Sequence, residues 1–212
     1  MPNWSRDSSK LAYADMTQGQ IWVYDWQSGV NRLAYDSEGQ VYNPKWSPDG
    51  KTLLFEEQIG SDMRQIRALD VATGGCSSPR LQSGWVQLPS WGPCSTMFVY
   101  VRRDDPTSSY SSELWLYDFR ANGNIEDGTN YRLTEAANSE LSTKADPDWR
   151  PNWDILLSWG YNLARLNPGH HFGWIDPVNS LSDPAVTQLT FDGSPSLSYG
   201  QASWSPDLSH IV

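Results

Sequence analysis

Few residues in this 212-residue chain have a type and spacing that suggest chemistry. His170 and His171, in P-G-H-H-F-G, form the one histidine pair. Neutral imidazoles ligate metals, but successive strand residues face opposite sides of a sheet, and no third ligand stands near in the pattern. The pair is therefore read as a polar insertion rather than a metal centre. Cys76 and Cys94 are too few for a four-cysteine zinc site or a disulfide framework. They are read as free thiols, since a bridge would need their Cα atoms within about 7 Å. The G-x-S-x-G nucleophile elbow, the Walker loop, H-E-x-x-H and the calcium-loop pattern do not occur. The sequence thus offers no catalytic residue, no cofactor-binding residue and no metal ligand.

Four aspartates, Asp25, Asp70, Asp118 and Asp176, recur at the ends of alternating apolar runs. Asp7, Asp49 and Asp207 recur in a turn phrase. An acid that returns with every repeat caps backbone N–H groups at strand ends rather than marking one reactive centre. Aromatics outside the repeat phase are the better binding candidates: Trp26, Trp85, Trp153, Trp159 and Tyr110. The net charge of -10 and pI of about 4.6 disfavour nucleic acid and anionic lipid as partners. The one basic pair, Arg102–Arg103, is followed at once by Asp104–Asp105. No apolar run approaches the ~18 residues of a membrane-spanning helix. Met1 to Lys10 shows neither a basic nor an apolar leader segment, so no signal peptide is read in this chain.

The elements that must carry these residues show themselves as an internal repeat. Its opening phrase is P-N-W-S-R-D at Pro2–Asp7, then P-K-W-S-P-D-G at Pro44–Gly50 and P-S-W-G-P-C at Pro89–Cys94. It returns as P-D-W-R-P-N at Pro147–Asn152 and A-S-W-S-P-D at Ala202–Asp207. The anchoring tryptophans, Trp4, Trp46, Trp91, Trp149 and Trp204, are 42, 45, 58 and 55 residues apart. A second phrase stays in phase: Gln20–Asp25, Gln65–Asp70, Glu113–Asp118 and Phe172–Asp176. A third, containing R-L or Q-L, closes each unit at Asn31–Ala34, Pro79–Gln82, Tyr131–Thr134 and Thr187–Thr190. The runs between turns are about five residues long and rich in aromatic and β-branched types. Each unit therefore predicts four strands: a short one ending at the Trp, an apolar one, the alternating one and the closing one.

These phrases resemble the TolB-like β-propeller repeat, a relative of the WD-repeat blade, and the resemblance spans almost the whole chain. It implies an all-β propeller of four-stranded antiparallel blades, four blades and a partial fifth, within one region over residues 1–212. The repeats run approximately over 2–39, 40–84, 85–142, 143–198 and 199–212. The count leads to the expectation of a stretch of a larger propeller, with a four-bladed closed ring as the alternative. Unit four departs furthest, because N-P-G-H-H interrupts its third phrase between Leu163 and Asp176. Individuality is expected in four insertions, Asp104–Ser112, Ala121–Thr129, Glu135–Lys144 and Tyr161–His171, since loops on rigid scaffolds carry function.

The resemblance implies a non-catalytic scaffold for protein partners in the periplasm or outside the cell. The alternatives it leaves open are the gating propeller of a prolyl-oligopeptidase-like peptidase and a carbohydrate-active propeller.

Overall fold

The computed structural model describes residues 2–60, 63–82, 84–103, 112–134, 144–149, 154–159, 162–167, 185–192, 196, 202–205 and 210–211. Sixteen strands among them form four four-stranded antiparallel sheets, each in sequential strand order. The first blade holds β1 (Asn3–Trp4), β2 (Lys10–Asp15), β3 (Gln20–Asp25) and β4 (Asn31–Asp36). The second holds β5 (Val41–Trp46), β6 (Thr52–Ile59), β7 (Met63–Asp70) and β8 (Cys76–Ser77). The third holds β9 (Trp85–Trp91), β10 (Met97–Arg103), β11 (Ser112–Asp118) and β12 (Thr129–Arg132). The fourth holds β13 (Lys144–Trp149), β14 (Ile155–Trp159), β15 (Asn162–Asn167) and β16 (Ala185–Gln188). The fifth unit contributes one antiparallel bridge, Trp204 to Ile211, with Ser205 N–H donating to the His210 carbonyl at 2.9 Å.

Second strands read as unbroken apolar runs because both of their faces are covered. Leu53, Leu54 and Phe55 are successive residues and all fully buried. Phe55 and Leu53 join Ala12, Ile21 and Val23 in a cluster between blades one and two. Leu54 joins Phe98, Tyr100 and Tyr117 between blades two and three. Val99 and Val101 join Ile155 and Leu157 between blades three and four. The core is thus a set of interfaces, each filled by one blade's trailing face and the next blade's leading face.

Each cluster also takes the tryptophan of its later blade: Trp46, Trp91 and Trp149, all 6% exposed. Trp4 has the same place in blade one yet is 46% exposed, and its ring meets Trp26 edge-on at 5.6 Å. Packing between blades therefore holds for three of the repeated tryptophans and not for Trp4.

The turn phrase has a hydrogen-bond basis. Ser47 Oγ donates to Asp49 Oδ1 at 2.6 Å and accepts from Thr52 N–H at 2.9 Å. Ser5, Asp7 and Lys10 repeat those bonds at 2.6 and 2.9 Å, and Ser205 accepts from His210 N–H at 2.9 Å. Asp25, Asp70 and Asp118 accept backbone N–H bonds from Ser28, Thr73 and Arg120 respectively.

Three expectations are corrected. The first strands of blades two to four are six or seven residues long rather than short. In blade two the closing strand is Cys76–Ser77, ahead of Pro79–Gln82; proline has no N–H to give a ladder. In blade four the third strand is N-L-A-R-L-N, Asn162–Asn167, not the phrase ending at Asp176. Leu166 pairs with Ile155 as Tyr117 pairs with Phe98, so Asn167 stands where Asp118 stands in blade three. The extra residues of this unit follow β15 rather than interrupting it. Residues 172–176 lie outside the described residues.

Candidate functional site: the groove between inner strands

The first strands β1, β5, β9 and β13 are the inner strands and lie side by side around a shared groove. Each of the last three carries a bulge. Pairing slips between Tyr42 and Lys45 in β5, between Gln87 and Ser90 in β9, and between Ala145 and Asp148 in β13. At each slip one residue takes a left-handed backbone: Asn43 (φ 50°), Leu88 (φ 53°) and Asp146 (φ 48°). Each immediately precedes a proline, Pro44, Pro89 or Pro147. Asn and Asp tolerate this conformation; Leu88 bears a cost on the order of 1–2 kcal/mol. The bulges extrude backbone toward a cavity of about 380 Å³ that also meets Pro2, Lys45 and Ser203. A second cavity, about 390 Å³, lies by the tryptophan ends of the strands and is lined by Arg6, Pro48, Pro93 and Asp148 among others.

The residue before each tryptophan joins its blade to the next. Asn3 Oδ1 accepts from Trp46 N–H at 2.9 Å, Ser90 Oγ from Trp149 N–H at 3.2 Å and Asp148 Oδ2 from Trp204 N–H at 2.8 Å. Lys45 has no side-chain acceptor; there the backbone carbonyl accepts from the Trp91 indole at 3.0 Å.

A fully buried carboxylate braces the groove wall. Glu56 Oε1 accepts from Asn43 Nδ2 at 2.7 Å and from Leu88 N–H at 3.0 Å. Its Oε2 accepts from Arg64 Nη1 at 2.7 Å. One side chain thus pins the bulges of two neighbouring inner strands. Beside it, Glu57 takes bonds from Tyr35 (2.9 Å), Ser37 (2.5 Å) and Gln65 (2.7 Å), with Arg67 at 3.5 Å. Burial, reinforced by Glu57, pushes the Tyr35 hydroxyl up to about 12.

The turn acids give the stability a pH dependence. The Ser5 hydroxyl, with Ser9, holds Asp7 down at about 2. Ser28 and Thr73 likewise lower Asp25 and Asp70. Burial works against Asp49 and Glu57, yet their hydrogen bonds leave both lowered. A carboxylate depressed in the folded state stabilises it above its unfolded pKa, and the contribution fades as pH falls through the folded value. The thermal midpoint should therefore drop steadily from about pH 5 to about pH 2. A midpoint that stays flat across that window would contradict these turn bonds.

Of the binding candidates, Trp85 stands at the start of β9 with the Arg64 guanidinium 5.6 Å from its ring. Trp26 is 64% exposed beside Trp4. Trp159 ends β14. Tyr110, Trp153, His170, His171, Asp176 and Asp207 lie outside the described residues, as do most of Asp104–Ser112, Glu135–Lys144 and the His pair's surroundings. Of Ala121–Thr129, residues 121–128 form a turn stitched by Asn122 and Asn124 to its own backbone, and Thr129 begins β12. Cys76 and Cys94 are both unbridged. Among the described residues no group of three or more His, Cys, Asp or Glu is placed to hold a metal. Glu56 had no signal in its own phrase: Ala14, Val101 and Ser158 fill its place in the other blades.

Residues 29–118 match the family model of the prolyl oligopeptidase N-terminal β-propeller domain. An uncharacterized peptidase of Bacillus subtilis, YuxL, is 26% identical over 100 residues, 43% of this chain and 15% of that protein. The uncharacterized protein Atu1656 of Agrobacterium fabrum is 26% identical over 157 residues, 71% of this chain and 51% of its own length. The crystal structure of TolB from Acinetobacter baumannii is similar over the whole chain, with a TM-score of 0.72 at 21% identity, and 47% of that protein is covered. The chain thus spans about half or less of the relatives it matches. Four sequential antiparallel blades, cores set between them and this structural likeness together give the chain a β-propeller fold similar to that of TolB.

Proposed function

We propose that this chain is a non-catalytic propeller scaffold for protein–protein interaction, and that the groove between its inner strands receives a polypeptide segment of the partner. One observation carries the reading. Residues from all four blades and the fifth unit converge on one groove, where Lys45 has no ion-pair partner among the described residues, nor has Arg6 in the cavity beside it. The likeness to TolB supports a scaffold, and through the resemblance an envelope setting, periplasmic or extracellular. The family-model match over residues 29–118 favours a second reading, a propeller that gates access to a peptidase's hydrolase domain.

A photo-crosslinking residue placed at Lys45 in the source cells, with another at exposed Glu126 on an outer turn, tests this. Adducts to one separate protein from Lys45 and not from Glu126 are expected. Adducts to a hydrolase domain would favour the second reading. Adducts from Glu126 alone would overturn the groove as the binding face.

A further inference from the structure

Arg103 ends β10 half-buried. Its Nε is closed off from solvent and meets no hydrogen-bond acceptor, and no ion pair reaches the side chain among the described residues. Burial, and then the charge of Arg64, pushes its pKa down. A partly desolvated cation beside another cation is costly unless an anion completes the arrangement.

The surroundings are built to hold both guanidiniums. Trp85 is the common neighbour: it faces Arg103 directly across the β9–β10 ladder, and Arg64 Cζ lies 5.6 Å from its ring. Arg64 also lies over Tyr42 at 4.1 Å and is fixed by Glu56 at 2.7 Å. Glu56 in turn binds Asn43 and Leu88, two bulge residues that line the groove. At Gly84 (φ +133°) a Cβ would stand 2.8 Å from the Arg103 carbonyl oxygen, so glycine lets the chain enter β9 against this corner. Arg102 alternates to the opposite face of β10, over Trp115 at 5.3 Å and across the ladder from buried Glu113, with its Nε 3.1 Å from where a Gly84 Cβ would stand.

We propose that Arg103, Arg64 and Trp85 form a carboxylate-binding site beside the bulges of β5 and β9. The charge count selects the ligand. Glu56 offsets Arg64, which leaves one net positive charge from Arg103 to be met by a monoanion. The planar fork of arginine suits a carboxylate, whereas a phosphate dianion would also meet the charge of Glu56. Two sources share this chemistry, a small free carboxylate and the C-terminal carboxylate of a polypeptide. The second rests on the groove reading above; the first does not.

The experiment follows the Arg Nε resonances of the whole chain by NMR at constant ionic strength. The probes are acetate, inorganic phosphate, a tetrapeptide with a free C-terminus and its C-terminal amide. Saturable shifts at both Arg103 and Arg64 with acetate are expected, at millimolar half-saturation, and at least tenfold weaker with Arg103→Met. Because that substitution removes an unpaired cation, the unliganded variant should melt no lower than the wild type; Arg103→Lys keeps the charge and should retain weak binding. A free-terminus peptide binding tenfold more tightly than acetate, with the amide silent, assigns the polypeptide source. Equal affinity for peptide and acetate assigns the small carboxylate and leaves the groove reading to its own test. The site is overturned if acetate produces no saturable shift, or if phosphate binds more tightly than acetate. It is overturned equally if Asp104→Asn or Asp105→Asn creates acetate binding that the wild type lacks, since the chain's own carboxylate would then be the occupant.

Discussion

Replacing Trp91 by alanine should lower the unfolding free energy by about 3–5 kcal/mol, the range for deleting a buried large aromatic side chain. The ring is 6% exposed, meets Phe98 and Phe119 edge-on at 5.8 and 6.4 Å, and gives its indole N–H to the Lys45 carbonyl at 3.0 Å. The loss therefore includes a cavity, two aromatic contacts and the indole hydrogen bond at the junction of blades two and three. Trp4→Ala is the matched control. Trp4 occupies the same repeat position at 46% exposure, and its truncation should cost no more than about 1 kcal/mol, mostly the Trp26 contact. Denaturant titration of both variants measures the difference. Equal costs would mean that the tryptophan stabilises its own blade rather than the interface with the one before.

A loss of similar size is expected for Glu56→Ala, about 3–5 kcal/mol, because the partners of a fully buried carboxylate are left behind unpaired. Three donors lose their acceptor together: Asn43 Nδ2, the Leu88 N–H and Arg64 Nη1. Part of the cost should be recovered in Glu56→Ala/Arg64→Ala, where no stranded cation remains, and the remainder should persist because the Leu88 N–H still lacks an acceptor. A double-mutant cycle by chemical denaturation reads this coupling. A single-variant loss below about 1 kcal/mol would show that the bulges hold without the brace.

Much of the architecture was legible because it repeats. Trp46, Trp91 and Trp149 each sit at the same point in a phrase, and the phrase recurs because each blade meets the same neighbour. The Ser–Asp turn bonds were equally readable, being local in sequence. What escaped has a different origin. The left-handed backbone at Leu88 has no sequence signature, unlike Asn43 and Asp146, whose types suit it. The shift of the third strand in blade four escaped because F-G-W-I-D imitates the alternating phrase, while N-L-A-R-L-N ends in Asn rather than Asp. Glu56 and the Arg64–Arg103 pair unite residues from different strands or blades, so only folding brings them together. The exposure of Trp4 depends on what lies beside blade one, which no repeat phrase encodes.

The bulged inner strands have one more consequence, for how anything could attach to them. An exposed strand border with free N–H groups invites another strand to add on and, unchecked, aggregation. Here Pro44, Pro89 and Pro147 have no N–H to offer. Those of Trp46, Trp149 and Trp204 are taken by the preceding blade, and that of Leu88 by Glu56. The left-handed residues at 43, 88 and 146 break the regular spacing that an added strand would need. The groove floor is therefore closed to strand addition at these positions. Whatever enters must be read by side chains, so a partner can be chosen by its chemical groups rather than by its backbone.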